Sequence, residues 1–208
     1  MEQPVFDAAL KKLRGKSEST RLLIAVAGAP ASGKSTFAKV LKAQFEEAGV
    51  PAVIVPMDGF HLDNRLLDEL GLRERKGAPE TFDLGGFTAL IQRLQAGEDS
   101  VYLPVFDRRR DIAIAGARRM TSDSEVLIVE GNYLLFDELG WRDLRPLWDM
   151  SIWIETPERL VRDRCIQRWL DHGHDQDAAR ERAESNDIRN ARRVTARRLE
   201  ADMTINEW

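Results

Sequence analysis

The sequence predicts an α/β protein: a doubly wound, mainly parallel five-stranded sheet with helices on both faces and a helical lid. Three observations point there. Short apolar runs alternate with amphipathic segments of helical spacing along the chain. The first run, residues 22–27, is apolar throughout, as a strand covered on both faces must be. A turn rich in glycine and other small residues follows it and opens directly into a helix.

In chain order, Phe6, Ala9, Leu10 and Leu13 place a helix over residues 5–14, ahead of the strand at 22–27. Phe37, Val40, Leu41, Ala43 and Phe45 mark a helix over 36–48, ended by Gly49 and Pro51. A second buried strand is expected at 52–55, a helix at 84–94 stopped by Gly97, and a third strand at 101–106. A fourth strand falls at 126–129, followed by a short helix near 136–145 that Pro146 should end, and a fifth strand at 150–154. Pro157 opens an Arg-rich amphipathic stretch to about Leu170, a second runs from about 177 to 199, and 203–205 reads as a last edge strand. Ligands of such sheets bind at the carboxyl ends of the strands.

Composition bounds the functions. The 208 residues carry 31 Lys+Arg against 35 Asp+Glu, a balance that argues against a nucleic-acid binder held by phosphate contacts. The longest apolar run, residues 22–30, is far short of the roughly 20 residues of a membrane span, so no membrane insertion is expected. The first residues lack the basic and apolar regions of a secretory signal. Cys165 is the only cysteine, which excludes a disulfide framework and fits the reducing cytoplasm; mid-helix and unpaired, it reads as inert. The five tryptophans, Trp141, Trp148, Trp153, Trp169 and Trp208, read as packing residues. The cations are lopsided, with 24 Arg, 7 Lys and no Lys after Lys76.

The turn after the first strand, Gly28-Ala29-Pro30-Ala31-Ser32-Gly33-Lys34-Ser35, fits the phosphate-binding pattern G-x-x-x-x-G-K-[ST], with Thr36 following in the helix. Small residues let backbone N–H groups curl around phosphates, and the helix dipole adds positive potential. Lys34 is suited to the β/γ-phosphates and the Ser35 hydroxyl to Mg²⁺. A regulatory GTPase is disfavoured, because no Asn is followed by the Lys that a guanine-reading segment requires. Three D-x-x-G matches, at 68–71, 83–86 and 137–140, carry no weight because they fall in unrelated places.

Two strand-end acids complete the pattern. Asp58 follows the second strand, where a carboxylate can accept a proton from an attacking hydroxyl; capping the next helix is an equal reading, with Asp63 and Asn64 as rival caps. Glu130 ends the fourth strand, where an acid helps to place Mg²⁺ or pairs with a nearby Arg.

In order, GAPASGKS, MDGFH (57–61), KGAPETFD (76–83), LPVFD (103–107) and IVEG (128–131) resemble the phosphoribulokinase/uridine kinase/pantothenate kinase family. The pattern is most similar to its bacterial fructose transport system kinases and nucleoside-kinase-like proteins. The resemblance spans about residues 20–205 and implies one kinase domain over 1–208, with a mobile lid at about 157–180. It implies ATP as donor, Mg²⁺ as cofactor and the hydroxyl of a small molecule as acceptor, sugar-like (fructose-like) or nucleoside-like. It makes Asp58 the general base and nominates His61, Asp83, Phe106 and Asp107 on the acceptor side. Nucleoside kinases carry a His soon after the motif that ends here at Asp107, whereas this chain continues Arg108-Arg-Arg-Asp111. That run suits an anionic acceptor such as a sugar phosphate, or it is a solvated loop; Arg108 and Asp111 are its candidates.

Relatives close a lid of arginines over the transferring phosphate. The family spacing to Gly173 points to Arg164, with Arg168 one turn on. The plain alternative is an exposed helix ion-paired to Asp163 and Asp171. Where uridine-type relatives read R-G-R, this chain has His172-Gly173-His174, a pH-sensitive pair. Relatives place the adenine near the segment of Asn190, which either reads the base or caps a helix. A homodimer is common in the family. The rival class is a P-loop ATPase serving as a nucleotide-dependent switch or partner-binding protein.

Overall fold

A computed structural model of the chain describes residues 2–17, 20–121 and 123–206. In order, it runs α1 (Glu2–Arg14), β1 (Leu22–Gly28), α2 (Lys34–Glu47), β2 (Ala52–Pro56), a 3₁₀ turn (Met57–Phe60), α3 (Asn64–Glu69), α4 (Leu84–Gln95), β3 (Ser100–Asp107), β4 (Ile112–Thr121) and β5 (Val126–Gly131). A 3₁₀ segment (Trp141–Leu147), β6 (Met150–Glu155), α5 (Glu158–Asp171), α6 (Gln176–Arg182), a π-helical turn (Ala183–Ile188), α7 (Arg189–Ala196) and β7 (Met203–Asn206) follow. Among the described residues no helix is long and apolar enough to cross a membrane.

The sheet has five parallel strands in the order β2-β5-β1-β6-β7. In β1, Leu22, Ile24 and Val26 face a layer with Val5, Ala9, Phe37 and Phe45 of α1 and α2. Leu23, Ala25 and Ala27 face the opposite layer, with Phe87, Leu90 and Ile91 of α4 and Val161 and Cys165 of α5. The period of two delivers one run to two cores, which is why it reads as continuously apolar. Each fully buried Leu or Phe in these layers contributes about 1.5–3 kcal/mol relative to exposure.

The five-strand count holds, but its membership differs from the expectation. The third expected strand is β3, and it lies outside the main sheet in an antiparallel hairpin with β4. β4 reads IAIAGARRMT, whose small residues and one arginine on each face give no strand signal in isolation. The fifth sheet strand is instead the edge strand β7, paired with β6. Arg21, only 5% exposed, anchors the hairpin base by donating to the carbonyls of Leu94, Glu98 and Thr121 at 2.9, 3.3 and 3.3 Å. Pro146 sits inside the 3₁₀ segment rather than ending a helix. The expected helix over 177–199 is continuous except for the π turn at its centre, which widens the helix where Asn186 and Asp187 point inward. Trp141, Trp148 and Trp153 are buried as expected, and Trp208 lies outside the described residues.

Candidate functional site

A cavity of about 860 Å³ opens at the carboxyl ends of β1, β2 and β5, walled by the hairpin turn on one side and by α5 and α6 on the other. Its floor is the loop from β1 to α2. Gly28 ends β1 and Ala29 is buried beneath the loop, while Pro30 to Thr36 line the cavity. Gly33 adopts φ 94°, a left-handed conformation that turns the chain into α2 and leaves the first N–H groups of the helix facing the cavity. Thr156 Oγ1 and an Arg164 guanidinium nitrogen donate to the carbonyls of Ser32 and Ala31 at 3.3 and 3.2 Å, so the loop is braced from outside.

Lys34 is buried and folds back to donate to Ala29 O at 2.7 Å. Burial lowers its pKa to about 8, against the pull of Glu130 and Asp58. Glu130, 9% exposed at the end of β5, has its pKa raised by burial and by the charge of Asp58, partly offset by Lys34 and by a hydrogen bond with Ser35. It therefore faces Lys34 and Ser35 rather than forming the ion pair that was its alternative reading. Oxygen donors from Ser35 and Glu130 beside a phosphate loop fit a hard cation such as Mg²⁺, which takes its remaining ligands from phosphates and water. No group of three or more acidic, His or Cys side chains gathers elsewhere among the described residues to hold a metal.

Asp58 sits in the 3₁₀ turn after β2 and is ion-paired with Arg108 across the cavity. It does not cap α3: Asp63 does, accepting from Arg65 N at 3.0 Å. Gly59 lies so close to the hairpin that a Cβ there would stand 2.6 Å from Pro104 O, so a side chain would push the hairpin away. His61 donates from Nδ1 to Asp58 O at 2.7 Å and packs between the rings of Phe82 and Phe106, at 4.1 and 4.5 Å. Burial lowers its pKa, against the pull of Asp58, and so favours the neutral ring.

The structure separates the remaining acceptor-side candidates. Phe106, Arg108 and Asp111 line the cavity. Asp83 does not: it caps α4, accepting from Gly86 N at 2.8 Å, and borders a separate hollow of about 460 Å³. Asp107 does not either, because its carboxylate accepts from Arg110 N at 3.0 Å and closes the hairpin turn. Both positions are the short polar residues that turn and cap geometry demands.

Two residues that sequence reasoning passed over stand here. Lys76, 8% exposed, donates to Asn64 Oδ1 at 2.6 Å and to Asp111 O at 2.8 Å and pairs with Asp111 Oδ1 at 2.9 Å. Its signal was present: it opens the KGAPETFD motif and is the last lysine of the chain. Arg109 lines the cavity beside Arg108 and was legible only as part of an arginine run.

On the lid side, Arg164 and Arg168 share one face of α5 and both line the cavity. Arg168 donates to Asp187 Oδ1 at 2.8 Å, and although burial opposes its charge, Asp187 raises its pKa. Asp187 also accepts from Trp169 Nε1 at 2.7 Å. Trp169, expected only to pack, lines the cavity, with His172 and His174 against its ring at 6.0 and 5.3 Å. Arg168 is ion-paired with Asp187, and Asp171 accepts from Gln167 at 2.8 Å. Asn190 lines the cavity, but its amide is engaged: Oδ1 accepts from Arg75 at 2.8 Å and Nδ2 donates to Asn186 Oδ1 at 3.2 Å. Asn186 in turn donates to Lys76 O at 2.7 Å. Asn190 therefore braces the segment around Arg75 while it lines the cavity. Cys165 is fully buried, and burial pushes its thiol up to about 12, as an inert cysteine requires.

Comparison with known proteins gives the family. The profile of the Phosphoribulokinase / Uridine kinase family matches residues 23–207. The chain is 51% identical to a protein from Silicibacter sp. TM1040 whose crystal structure is described as that of a candidate fructose transport system kinase, with a TM-score of 0.93 and 97% of each chain covered. It is 33% identical over 200 residues to the uncharacterised protein YggC of Escherichia coli K12, covering 94% of this chain and 82% of YggC. A pantothenate kinase of Chelativorans sp. BNC1 is 31% identical over 159 residues, covering 73% of this chain and 50% of the kinase.

Proposed function

The chain belongs to the phosphoribulokinase/uridine kinase family of small-molecule kinases, and from that premise we propose that it transfers the γ-phosphoryl group of ATP to a hydroxyl of a sugar-like acceptor in the cytoplasm. One observation carries the reading of the site. A strand-end carboxylate, Asp58, faces the phosphate-loop lysine and Glu130 inside one cavity, with cations closing on it from the hairpin and from α5.

Each residue then has a chemical task. The backbone N–H groups of residues 31–36 and the Lys34 ammonium hold the β/γ-phosphates. Ser35 and Glu130 would hold Mg²⁺, which neutralises charge building on the phosphate oxygens. The acceptor oxygen attacks phosphorus as the bond to the ADP oxygen breaks, and the acceptor proton passes to Asp58. Arg164 and Arg168 approach the transferring group from the lid and exclude water. His61, stacked against Phe82 and Phe106 and donating from Nδ1 to Asp58 O, keeps Nε2 as a hydrogen-bond acceptor for a hydroxyl of the acceptor.

The test is ADP release screened against pentoses, hexoses, their phosphates, nucleosides and pantothenate. A kinase shows acceptor-dependent ADP that Asp58→Asn abolishes while ATP still binds. A nucleotide-dependent switch shows only slow ATP hydrolysis, indifferent to Asp58→Asn, and that result would overturn the proposal.

A further inference from the structure

The hairpin turn is pinned at both ends, although its arginine side chains are exposed. Asp107 closes it by accepting from Arg110 N at 3.0 Å. At its other end Asp111 takes a left-handed backbone, φ 54°, and is pinned by Lys76 at 2.9 Å and by Asn64 Nδ2 at 2.8 Å. Aspartate tolerates that conformation better than most residues, but it is kept only where contacts hold it. The ammonium of Lys76 already serves three acceptors, so its work is to position the turn. What the turn presents to the cavity is Arg108, Arg109 and Asp111, and the Asp111 carboxylate is paired with Lys76. Arg109 makes no hydrogen bond or ion pair among the described residues, and Arg108 has only Asp58.

That last pairing occupies Oδ2 of the base, so the Arg108 guanidinium stands where an acceptor hydroxyl would approach that oxygen. Resting on the kinase reading above, we propose that the acceptor carries an anionic group, a phosphate or a carboxylate, that is taken by Arg108 and Arg109. Seating it draws Arg108 off Asp58 and exposes the base. Two adjacent guanidinium forks on a fixed turn match the oxygen geometry of such an anion, and the exchange replaces one ion pair with another. A neutral polyol of the same shape has nothing to offer Arg108, so it leaves Asp58 masked. The mechanism makes substrate selection and base activation one event.

Anion binding can be read without knowing the acceptor. The full chain, saturated with Mg²⁺ and a non-hydrolysable ATP analogue so that the phosphate loop is occupied, is titrated calorimetrically with inorganic phosphate and, separately, with acetate. One saturable site is expected for at least one of the two, and the tighter ion identifies the acceptor's anionic group. Arg108→Ala and Arg109→Ala should each weaken it about tenfold, and Arg108→Lys should restore part of the loss. Asp58→Asn should tighten it several-fold, because the internal competitor for Arg108 is gone; a merely structural role for the turn would not produce that gain. The inference is overturned by an absence of saturable binding, by binding indifferent to both Arg variants, or by an Asp58→Asn variant that binds no tighter. Loss of turnover in Asp58→Asn tests the kinase reading separately, so the two can fail independently.

Discussion

In the nucleotide half of the cavity, consecutive positions from Pro30 to Thr36 line the site, and much of what they offer is backbone. The acceptor half draws Asp58, His61, Phe106 and Arg108 from separate segments and offers side chains held in place by other side chains, such as Lys76 on Asp111. The first half is fixed by local chain geometry and by the layers that bury β1 and α2. The second depends on a hairpin outside the main sheet, joined to it through Arg21, Gly59 and the 3₁₀ turn. One scaffold can therefore keep its donor while its acceptor changes through charges on that turn.

The largest expected effect lies where the halves meet. Asp58→Asn should lower kcat by about 10²–10⁴-fold, the range of general-base removal, with nucleotide affinity unchanged in direct binding. A matching loss of nucleotide affinity would show that the halves are not separable. Lys34→Ala should do the reverse. The loss of a charge-assisted contact of about 1.5–3 kcal/mol weakens ATP binding roughly 10- to 100-fold, while anion binding at the turn persists.

This division is also the line along which the sequence was legible. The phosphate loop, Asp58 and Glu130 could be placed because each directly follows an apolar run, and strand ends converge in a parallel sheet. Asp83 caps a helix and Asp107 closes a turn, and an aspartate in either role has the same local signature as one that faces a substrate. β4 went unread because its alternation is carried by small residues and arginines. Lys76 and Asn190 depend on partners far away in sequence, at Asp111 and Arg75, which no local pattern records.

A smaller effect should follow from Lys76→Met. Removing the ammonium frees Asp111 and the turn, so the acceptor KM should rise about tenfold with the ATP KM flat, and stability should fall by about 1 kcal/mol in denaturant unfolding. An equal rise in both KM values would tie the turn to the nucleotide half and erase the contrast. The smallest effect belongs to Cys165. With its thiol pushed up to about 12 by burial, roughly one molecule in ten thousand is thiolate at pH 8. A thiol reagent should label it only at the rate of unfolding, with activity intact until then. Because the folded value lies above the unfolded one, this group's contribution to stability is full below the ordinary thiol range and is lost as pH rises toward 12.

The most direct measurement follows the γ-phosphoryl group itself. In a single turnover with γ-labelled ATP and an accepted hydroxyl compound, the label should appear on the acceptor in the natural protein, and Asp58→Asn should hold it on ATP. Label found only in inorganic phosphate, released at the same rate by both proteins, would contradict the account.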